Sequence, residues 1–484
     1  MQATVAILGA GMSGICMAIK LREAGVEDLV ILEKSPAPGG TWHDNTYPGA
    51  CCDVASHLYS FSFEPNPGWS RAFSPQAEIQ DYFRHCVEKY DLEPQIRYGS
   101  EVARADYDEA QGEWELAMTT GETLRCRFLV SGLGQLNVPH TPEFPGADTF
   151  AGVSFHSARW DHSVDLAGKR VAVIGNAASA IQFIPPVSDV AEQVYVYQRS
   201  ANYIVPRNDR FYGEREQQRY RDHPWLMKLS RLRYYLRQEL ILFGGMIPGS
   251  LRHRLLTWAA RKYLEQEISD PETITKLTPD YPLGCKRVLV SDDYYQALAR
   301  NPVELVTSPI RGVGEKGVTT EDGTERPVDV LIYATGFKAT DFLATIDVHG
   351  VGGRSLRDAW AEGAEALRGV AVPDFPNLFL LYGPNTNLGH NSIIHMVEAQ
   401  VRYIVRCIDK VLAHDLKALS ANPEAYRRFN EDLQSALGAM VWGGECGSWY
   451  KNEAGKITNN WPYSSTRFAL SMWRPDFTEF DMVS

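Results

Sequence analysis

The chain has 484 residues, which is too long for a single hydrophobic core, so two or three domains are expected. Its composition, with 44% hydrophobic and 22% charged residues, is ordinary for a globular protein. A net charge of −12 argues against a general nucleic-acid binder, and no uninterrupted apolar run reaches the roughly 18 residues of a membrane-spanning helix.

A dinucleotide-binding motif opens the chain. Residues 4–8 predict a buried strand, and a helical pattern follows through residue 23. The turn between them carries the residues of the motif, which are Gly9, Gly11, Ser13 and Gly14. In such a turn the first glycine permits the tight bend, the second lets the backbone approach a pyrophosphate, and the third allows the helix to pack closely on the strand. Glu33 ends the next strand, where a carboxylate can accept hydrogen bonds from an adenosine ribose.

The loop that follows favours FAD over NAD as the first cofactor. It reads G-G-T-W-x4-Y-P-G-x3-D over residues 39–53. Glycines and a proline let an irregular loop run close to a flat ring system, which an aromatic side chain can border. The residues expected to contact the cofactor are Gly40, Thr41, Trp42 and Asp53.

A second nucleotide motif follows a short linker string. The linker reads F-x-G-x-x-x-H-x-x-x-W-D and consists of Phe150, Gly152, His156, Trp160 and Asp161. Residues 170–174 then predict a strand, and the turn after it contains Gly175, Asn176, Ala177, Ser179 and Ala180. The next strand, residues 194–197, is followed by Arg199 and Ser200. An NAD site would carry an acid at this place, whereas an arginine and a hydroxyl suit the 2′-phosphate of NADPH.

Residues 210–262 predict amphipathic helices that interrupt the second sheet. They carry 12 lysines or arginines against 4 acidic residues, although the whole chain is acidic. The simplest interpretation is a helical subdomain with a solvated basic face. The functional alternatives are attraction of anionic NADPH and weak contact with a membrane surface.

The flavin loop and the linker string together resemble those of the Baeyer–Villiger monooxygenases. The resemblance implies an α/β protein with two doubly wound, Rossmann-like domains. We expect residues 1–145 to form the first part of an FAD domain and residues 146–330 to form an NADPH domain with a helical insertion at about 210–280. A strand over residues 329–337 ends in A-T-G, the string at which the family returns to the FAD domain, so residues 331–484 should complete that domain and carry a C-terminal control loop.

The same resemblance assigns several site residues. It implies that Arg287 is the catalytic arginine, that Asp53 lies beside it and the flavin, and that Lys286 is a second partner of the 2′-phosphate. A guanidinium suits this role because it stays charged and can stabilise an oxyanion. Tyr59 and Gln135 match flavin contacts, with core packing as the alternative. Trp449 matches a mobile loop that closes on NADPH, with a core tryptophan as the alternative.

Two departures or ambiguities accompany these assignments. The family usually carries glycine at the position of Ala177, and a methyl group there crowds the approach of a pyrophosphate. His156 and Trp160 are interpreted as a hinge that couples the nicotinamide to domain orientation, and a structural histidine is the alternative.

The expected function is conversion of a ketone, with O2, NADPH and FAD, to an ester or lactone through a C4a-peroxyflavin. The alternatives are a flavin-containing monooxygenase acting on nitrogen or sulfur, an uncoupled NADPH oxidase, and a non-enzymatic flavin-binding scaffold. Eight cysteines do not form a disulfide scaffold in so long a chain, and none has metal-ligand spacing. We therefore expect no metal, reduced thiols and a cytoplasmic location.

Overall fold

Two large β-sheets, one mixed and one parallel, organise the chain in the computed structural model, which describes residues 2–444, 447, 450–452 and 454–483. The first stretch contains β1 (Gln2–Leu8), α1 (Met12–Glu23), β2 (Leu29–Leu32), α2 (Thr41–Asp44), α3 (Gln76–Lys89), β3 (Ile96–Arg97), β4 (Val102–Asp108), β5 (Glu113–Met118) and β6 (Thr123–Ser131). The middle stretch contains β7 (Val153–His156), β8 (Arg170–Ile174), α4 (Ala180–Ser188), β9 (Gln193–Tyr197), β10 (Ile204–Val205), α5 (Glu214–Asp222), α6 (Pro224–Arg237), α7 (Phe243–Gly245), α8 (Leu251–Glu267), α9 (Pro271–Leu277), β11 (Leu289–Val290), α10 (Tyr294–Leu298), β12 (Val303–Val306), β13 (Ile310–Gly314), β14 (Gly317–Thr320), β15 (Glu325–Pro327) and β16 (Val330–Tyr333). The last stretch contains β17 (Asp347–His349), α11 (Leu356–Ala359), β18 (Leu378–Leu380), α12 (Ile393–Ala413), β19 (Ala418–Ala421), α13 (Pro423–Gly438), α14 (Ser465–Ser471) and β20 (Phe480–Val483).

The first sheet combines strands from both ends of the chain. Its parallel part runs β3-β2-β1-β6. β18 is parallel to the carboxyl end of β6 and pairs with the edge of β6 that faces away from β1. β4, β5 and β6 form an antiparallel meander, which β17 extends. The central strands are almost entirely apolar and buried on both faces, as expected for a parallel sheet covered by helices. α12 packs against α1 and buries one apolar face along its length.

The second sheet is wholly parallel, in the order β12-β9-β8-β16-β7. The β13–β15 hairpins form a small antiparallel sheet beside it. β16 is shorter than the predicted strand because the chain turns away at residues 334–336, where Gly336 adopts a φ of +83°. The chain therefore leaves the second sheet after Tyr333 and rejoins the first at β17. Two doubly wound sheets confirm the predicted α/β class.

The helical insertion, residues 210–280, docks on the first domain through buried polar groups. Arg231 on α6 donates hydrogen bonds to three backbone carbonyls of residues 57–60. Glu239, in a single π-turn after α6, accepts hydrogen bonds from the Asn391 amide and the Ser465 backbone N–H, each at 3.0 Å. Although burial opposes it, hydrogen bonds from His390, Ser465 and Asn391 hold the pKa of Glu239 well below its ordinary value. The insertion is thus fixed to the protein by its inner side.

No helix in the part of the chain that the structure describes is both long enough and apolar enough to cross a bilayer.

Candidate active site

A cavity of about 1540 Å³ lies between the two sheets. Its lining follows the carboxyl ends of strands from both, including β1, β2, β8 and β9. Doubly wound folds bind ligands at this edge, because helix N-termini and loops converge there. Both nucleotide motifs therefore open into one shared space.

The N-terminal motif forms a backbone cradle at the start of α1. A Cβ on Gly14 would lie 1.9 Å from the carbonyl oxygen of Gly9, so this packing of α1 on β1 requires glycine. A Cβ on Gly40 would lie 3.1 Å from the Gly11 Cα. Gly9, Gly11, Ser13 and Gly40 line the cavity, and Gly14 lies behind them. α1 has neither a side-chain cap nor an acid in its first turn, which leaves its N–H groups available to a phosphate.

Two polar side chains near this cradle fit a bound dinucleotide. Glu33 is 5% exposed and accepts hydrogen bonds from the backbone N–H groups of Ala10 at 2.7 Å and Ser35 at 2.8 Å. These bonds fix the carboxylate and leave lone pairs for ribose hydroxyls. Gln135 donates to the Tyr382 carbonyl at 3.2 Å, and its buried Oε1 has no partner within the described residues. A buried acceptor without a hydrogen bond costs about 1–3 kcal/mol of stability. A hydroxyl group of a bound ligand could donate the hydrogen bond that Oε1 lacks.

Trp42 and Tyr59 form one aromatic wall of the cavity. The Trp42 indole N–H donates to the Tyr59 hydroxyl at 3.0 Å, and the two rings meet edge to face with centroids 5.6 Å apart. Thr41 and Trp42 begin α2 directly after Gly40, and all three line the cavity. This wall can border a flat ring system.

The second motif reaches the cavity from the start of α4. Gly175, Asn176, Ala177 and Ser179 line it, and Ala180 is buried in the first helical turn. Gly175 has a φ of +107°, and a Cβ there would lie 2.4 Å from the Ala334 carbonyl oxygen. Ala177 is exposed on the cavity side, so its methyl group occupies space beside the motif. α4 has no side-chain cap and no acid in its first turn.

Arg199 and Lys286, two cations from distant parts of the chain, lie close together at the end of β9. Parallel pairing of β10 with β11 carries residues 286–287 next to residues 199–202. There the Lys286 ammonium donates to the Ser200 hydroxyl at 2.7 Å. Partial burial and the nearby charge of Arg199 lower the pKa of Lys286. A bound phosphate would relieve the repulsion between these two cations.

Arg287 and Asp53 form an ion pair inside the cavity. Nη2 of Arg287 donates to Oδ2 of Asp53 across 234 positions of sequence. The two side chains are 36% and 25% exposed, so both remain open to the cavity that they line. The Asp53 carboxylate raises the pKa of Arg287 above its ordinary value. The guanidinium is therefore a permanent cation, and its other N–H groups can serve a substrate oxygen.

Three residues of the linker string are half-buried and pack against the second sheet and the elements beside it. The Trp160 ring lies between Phe155 and Phe183, with centroids 5.2 Å from each. Phe150 packs on the cluster around β16. A Cβ on Gly152 would lie 2.4 Å from the Asp329 carbonyl oxygen.

The other two linker residues make local hydrogen bonds. Nδ1 of buried His156 accepts from the Ala158 backbone N–H at 3.1 Å. Asp161 caps a turn by accepting from the Ser163 backbone N–H and hydroxyl at 2.9 and 2.6 Å. None of the five linker residues belongs to the cavity lining, and the hinge remains a prediction.

Two buried histidines predict a stability that falls in mild acid. Burial lowers the pKa of His57 and His156 to about 4, whereas an unfolded histidine titrates near pH 6.5. Their stabilisation is thus fully present above pH 6.5 and is lost as the pH falls toward 4, by about 1.4 kcal/mol per pH unit for each ring. We expect denaturant midpoints to drop between about pH 7 and pH 5, with a shallower drop in His156→Gln. A flat profile would contradict this.

A clamp between the domains was not predicted from the sequence. The side-chain amide of Gln182 on α4 donates to the Cys51 carbonyl at 3.1 Å and accepts from the Cys51 backbone N–H at 3.3 Å. It also accepts from the Tyr47 hydroxyl at 3.0 Å. The helix that follows the second motif thereby holds the loop that carries Asp53. No local pattern marks such a contact.

Other cavity residues also escaped the sequence reasoning. The Tyr382 hydroxyl donates to Oδ1 of Asn387 at 2.7 Å, and both residues line the cavity after β18. Their place at the carboxyl end of a parallel strand is a signal that could have found them. Ile241 and Trp258 of the insertion line the cavity as well. Trp449, the predicted control-loop residue, lies outside the described residues.

The two glycine cradles and the Arg287–Asp53 ion pair define a class of enzyme, the flavin- and nicotinamide-dependent oxidoreductases. Residues 2–345 match the family model described as flavin-binding monooxygenase-like, and the chain belongs to that family. A Baeyer–Villiger monooxygenase of Pseudomonas aeruginosa is 42% identical over 466 residues, covering 96% of this chain and 88% of that protein. One of Streptomyces coelicolor is 40% identical over 482 residues, covering 99% and 92%. The predicted resemblance is confirmed.

Solved structures show the same architecture. A complex named OTEMO with FAD and NADP has a TM-score of 0.90 at 26% identity and covers 99% of both chains. Cyclohexanone monooxygenase from Rhodococcus sp. Phi1 bound to NADP+ has a TM-score of 0.89 at 28% identity and covers 100% of this chain and 99% of that one. These matches extend over the whole fold, including the insertion.

Proposed function

We propose that this protein catalyses a Baeyer–Villiger oxidation. A ketone, O2, NADPH and a proton yield an ester or lactone, NADP+ and water. The single observation that carries the proposal is the Arg287–Asp53 ion pair inside a cavity shared by both nucleotide cradles. Bound FAD supplies the ring that accepts the hydride and activates oxygen.

The residues proposed to hold FAD surround the first cradle and its aromatic wall: Gly9, Gly11, Ser13, Gly14, Glu33, Gly40, Thr41, Trp42, Asp53, Tyr59 and Gln135. Those proposed to hold NADPH surround the second cradle and the cation pair: Gly175, Asn176, Ala177, Ser179, Ala180, Arg199, Ser200 and Lys286. Buried and uncapped groups in both sets support the assignment, because each is left with capacity that a dinucleotide would fill.

Arg287 is proposed to be the catalytic residue. Addition of oxygen to a ketone places negative charge on the carbonyl oxygen, and a fixed cation beside that oxygen lowers the barrier. A guanidinium can donate hydrogen bonds there without giving up its proton. Asp53 is a positioning residue, because it holds the guanidinium in one orientation. Oxidation of an amine or sulfide develops no such oxyanion, so this pair favours a ketone substrate.

Product analysis tests the proposal. Purified enzyme should carry FAD and, given NADPH and oxygen-18, should place one labelled atom in the ester formed from a ketone panel, measured by mass spectrometry. A sulfide in the same panel provides the comparison. Sulfoxide formation with no ester from any ketone would contradict the proposal, as would folded protein that cannot bind added FAD.

Asp53→Asn should weaken ester formation through Arg287. Losing a charge-assisted hydrogen bond of about 1.5–3 kcal/mol predicts a fall in kcat of roughly tenfold or more with little change in KM for the ketone. Asp53→Glu should restore part of the rate, and adding Asp53→Asn to Arg287→Ala should cost nothing further. Additive losses in the double variant would show that Asp53 acts independently of the arginine.

A further inference from the structure

The helical insertion exposes an apolar stripe along α6. Trp225, Leu229, Leu232 and Leu236 are 61%, 55%, 49% and 44% exposed. Their spacings of four, three and four residues place them on one side of the helix. An amphipathic helix normally turns such a side toward the core. Here the inner side is instead the one that carries Arg231 and its bonds to the first domain.

α8 repeats the arrangement. Leu251, Leu255 and Trp258 follow one another at spacings of four and three residues and are 73%, 54% and 59% exposed. The segment that joins the helices adds Leu240 at 57% and Ile241 at 46%. Large exposed apolar patches mark interaction sites in proteins. These residues are called the insertion face below.

Basic residues border both stripes. On α6, Lys228 lies on one side of the stripe, and Arg233 lies on the other. On α8, Arg254 and Arg252 occupy the corresponding sides. All four are exposed, and residues 210–262 carry a net charge of +8 in a chain of net charge −12. Two insertion faces brought together would oppose like charges, so this pattern disfavours a second copy as the partner and complements an anionic surface.

The insertion face also borders the cavity. Ile241 and Trp258 are exposed to solvent and line the cavity at the same time. The insertion face is therefore continuous with the cavity lining at these two residues. Arg287 lines the same cavity as these two residues.

We propose that the insertion face binds an anionic lipid membrane surface, with the apolar stripes in the interfacial layer and the basic borders against the lipid head groups. An apolar stripe with basic flanks is the arrangement by which helices lie in a membrane interface. Resting on the proposed function, the substrate class is then a lipophilic ketone that partitions into the membrane and enters the cavity from it.

Cosedimentation of the FAD-loaded enzyme with vesicles tests binding without any ketone. The wild type should sediment with vesicles of equal parts phosphatidylcholine and phosphatidylglycerol, less so in high salt, and much less with phosphatidylcholine alone. Trp225→Ser/Leu229→Ser and Lys228→Gln/Arg233→Gln should each weaken binding roughly tenfold or more. None of these four side chains lines the cavity, so oxidation of a short, water-soluble ketone should stay at the wild-type rate.

Matched control variants remove exposed apolar or basic side chains that lie outside the insertion. Val190→Ser/Met482→Ser takes away exposed apolar side chains, and Arg311→Gln/Lys316→Gln takes away exposed cations outside the insertion. Both should bind vesicles like the wild type. The proposal is overturned if the wild type stays in the supernatant, if control and test variants bind alike, or if sedimentation velocity shows a dimer that Trp225→Ser/Leu229→Ser dissociates. Because binding is measured without substrate, its failure leaves the ester-forming activity separately testable.

Discussion

Arg287→Ala should lower the rate of ester formation by two to three orders of magnitude while leaving the FAD content and the fold unchanged. The variant removes the cation that is proposed to stabilise the oxyanion developing on the ketone. Loss of one such stabilising group typically costs about 2.7–4 kcal/mol, or roughly 100- to 1,000-fold in rate. NADPH oxidation should continue in an uncoupled form that releases hydrogen peroxide, and sulfide oxidation should survive because it needs no stabilised oxyanion.

Two further variants make this result interpretable. Arg287→Ala leaves Asp53 without its partner, so Arg287→Ala/Asp53→Asn shows whether the exposed carboxylate contributes to the loss. Arg207→Ala is the control, because Arg207 contacts the Cys51 sulfur at 2.8 Å nearby but does not belong to the cavity lining. Ester yield, NADPH consumption and peroxide are measured together. An ester yield from Arg287→Ala equal to that of the wild type would show that this arginine is not the catalytic residue.

Arg199→Ala should raise the KM for NADPH roughly 10- to 150-fold and leave the KM for NADH nearly unchanged. The range corresponds to the loss of a charge-assisted contact worth about 1.5–3 kcal/mol. Lys286 should retain part of the preference, because its bond to Ser200 holds it beside the same place. The double variant with Lys286→Ala should therefore lose the preference for NADPH.

Steady-state kinetics with both nucleotides measures this preference. Arg311→Ala, an exposed cation on the β13–β14 hairpin, is the control and should behave like the wild type. Equal use of NADPH and NADH by the wild type would contradict the assignment of the cation pair to a 2′-phosphate.

The parts of the fold that follow from contiguous residues were predictable. The first motif fixes β1, the turn and α1 within one short segment, and α1 ends at Glu23 as the pattern indicated. The same holds for β8, which spans the predicted residues. In both cases the strand, the turn and the helix are specified by neighbours in sequence, so the physics is local.

Contacts between distant residues were not predictable in that way. Arg287 and Asp53 were paired only through the family resemblance, since no spacing rule reaches across 234 positions. The Gln182 clamp and the Glu239 network were missed for the same reason. Periodicity showed that the insertion is amphipathic, but which side faces solvent depends on the bonds of Arg231 and Glu239 to another domain.

The strand order of the first sheet has a consequence for synthesis of the chain. β18 pairs with β6, although 246 residues lie between the end of β6 at Ser131 and the start of β18 at Leu378. Every strand of the second sheet comes from that intervening segment. The ribosome therefore delivers every strand of the second sheet before the last parallel strand of the first. The middle domain can fold as a unit before β18 is made. Until then, the carboxyl end of β6 has no partner strand on one edge. The first glycine cradle, although it is encoded first, is therefore enclosed late, because Tyr382 and Asn387, which follow β18, line the same cavity.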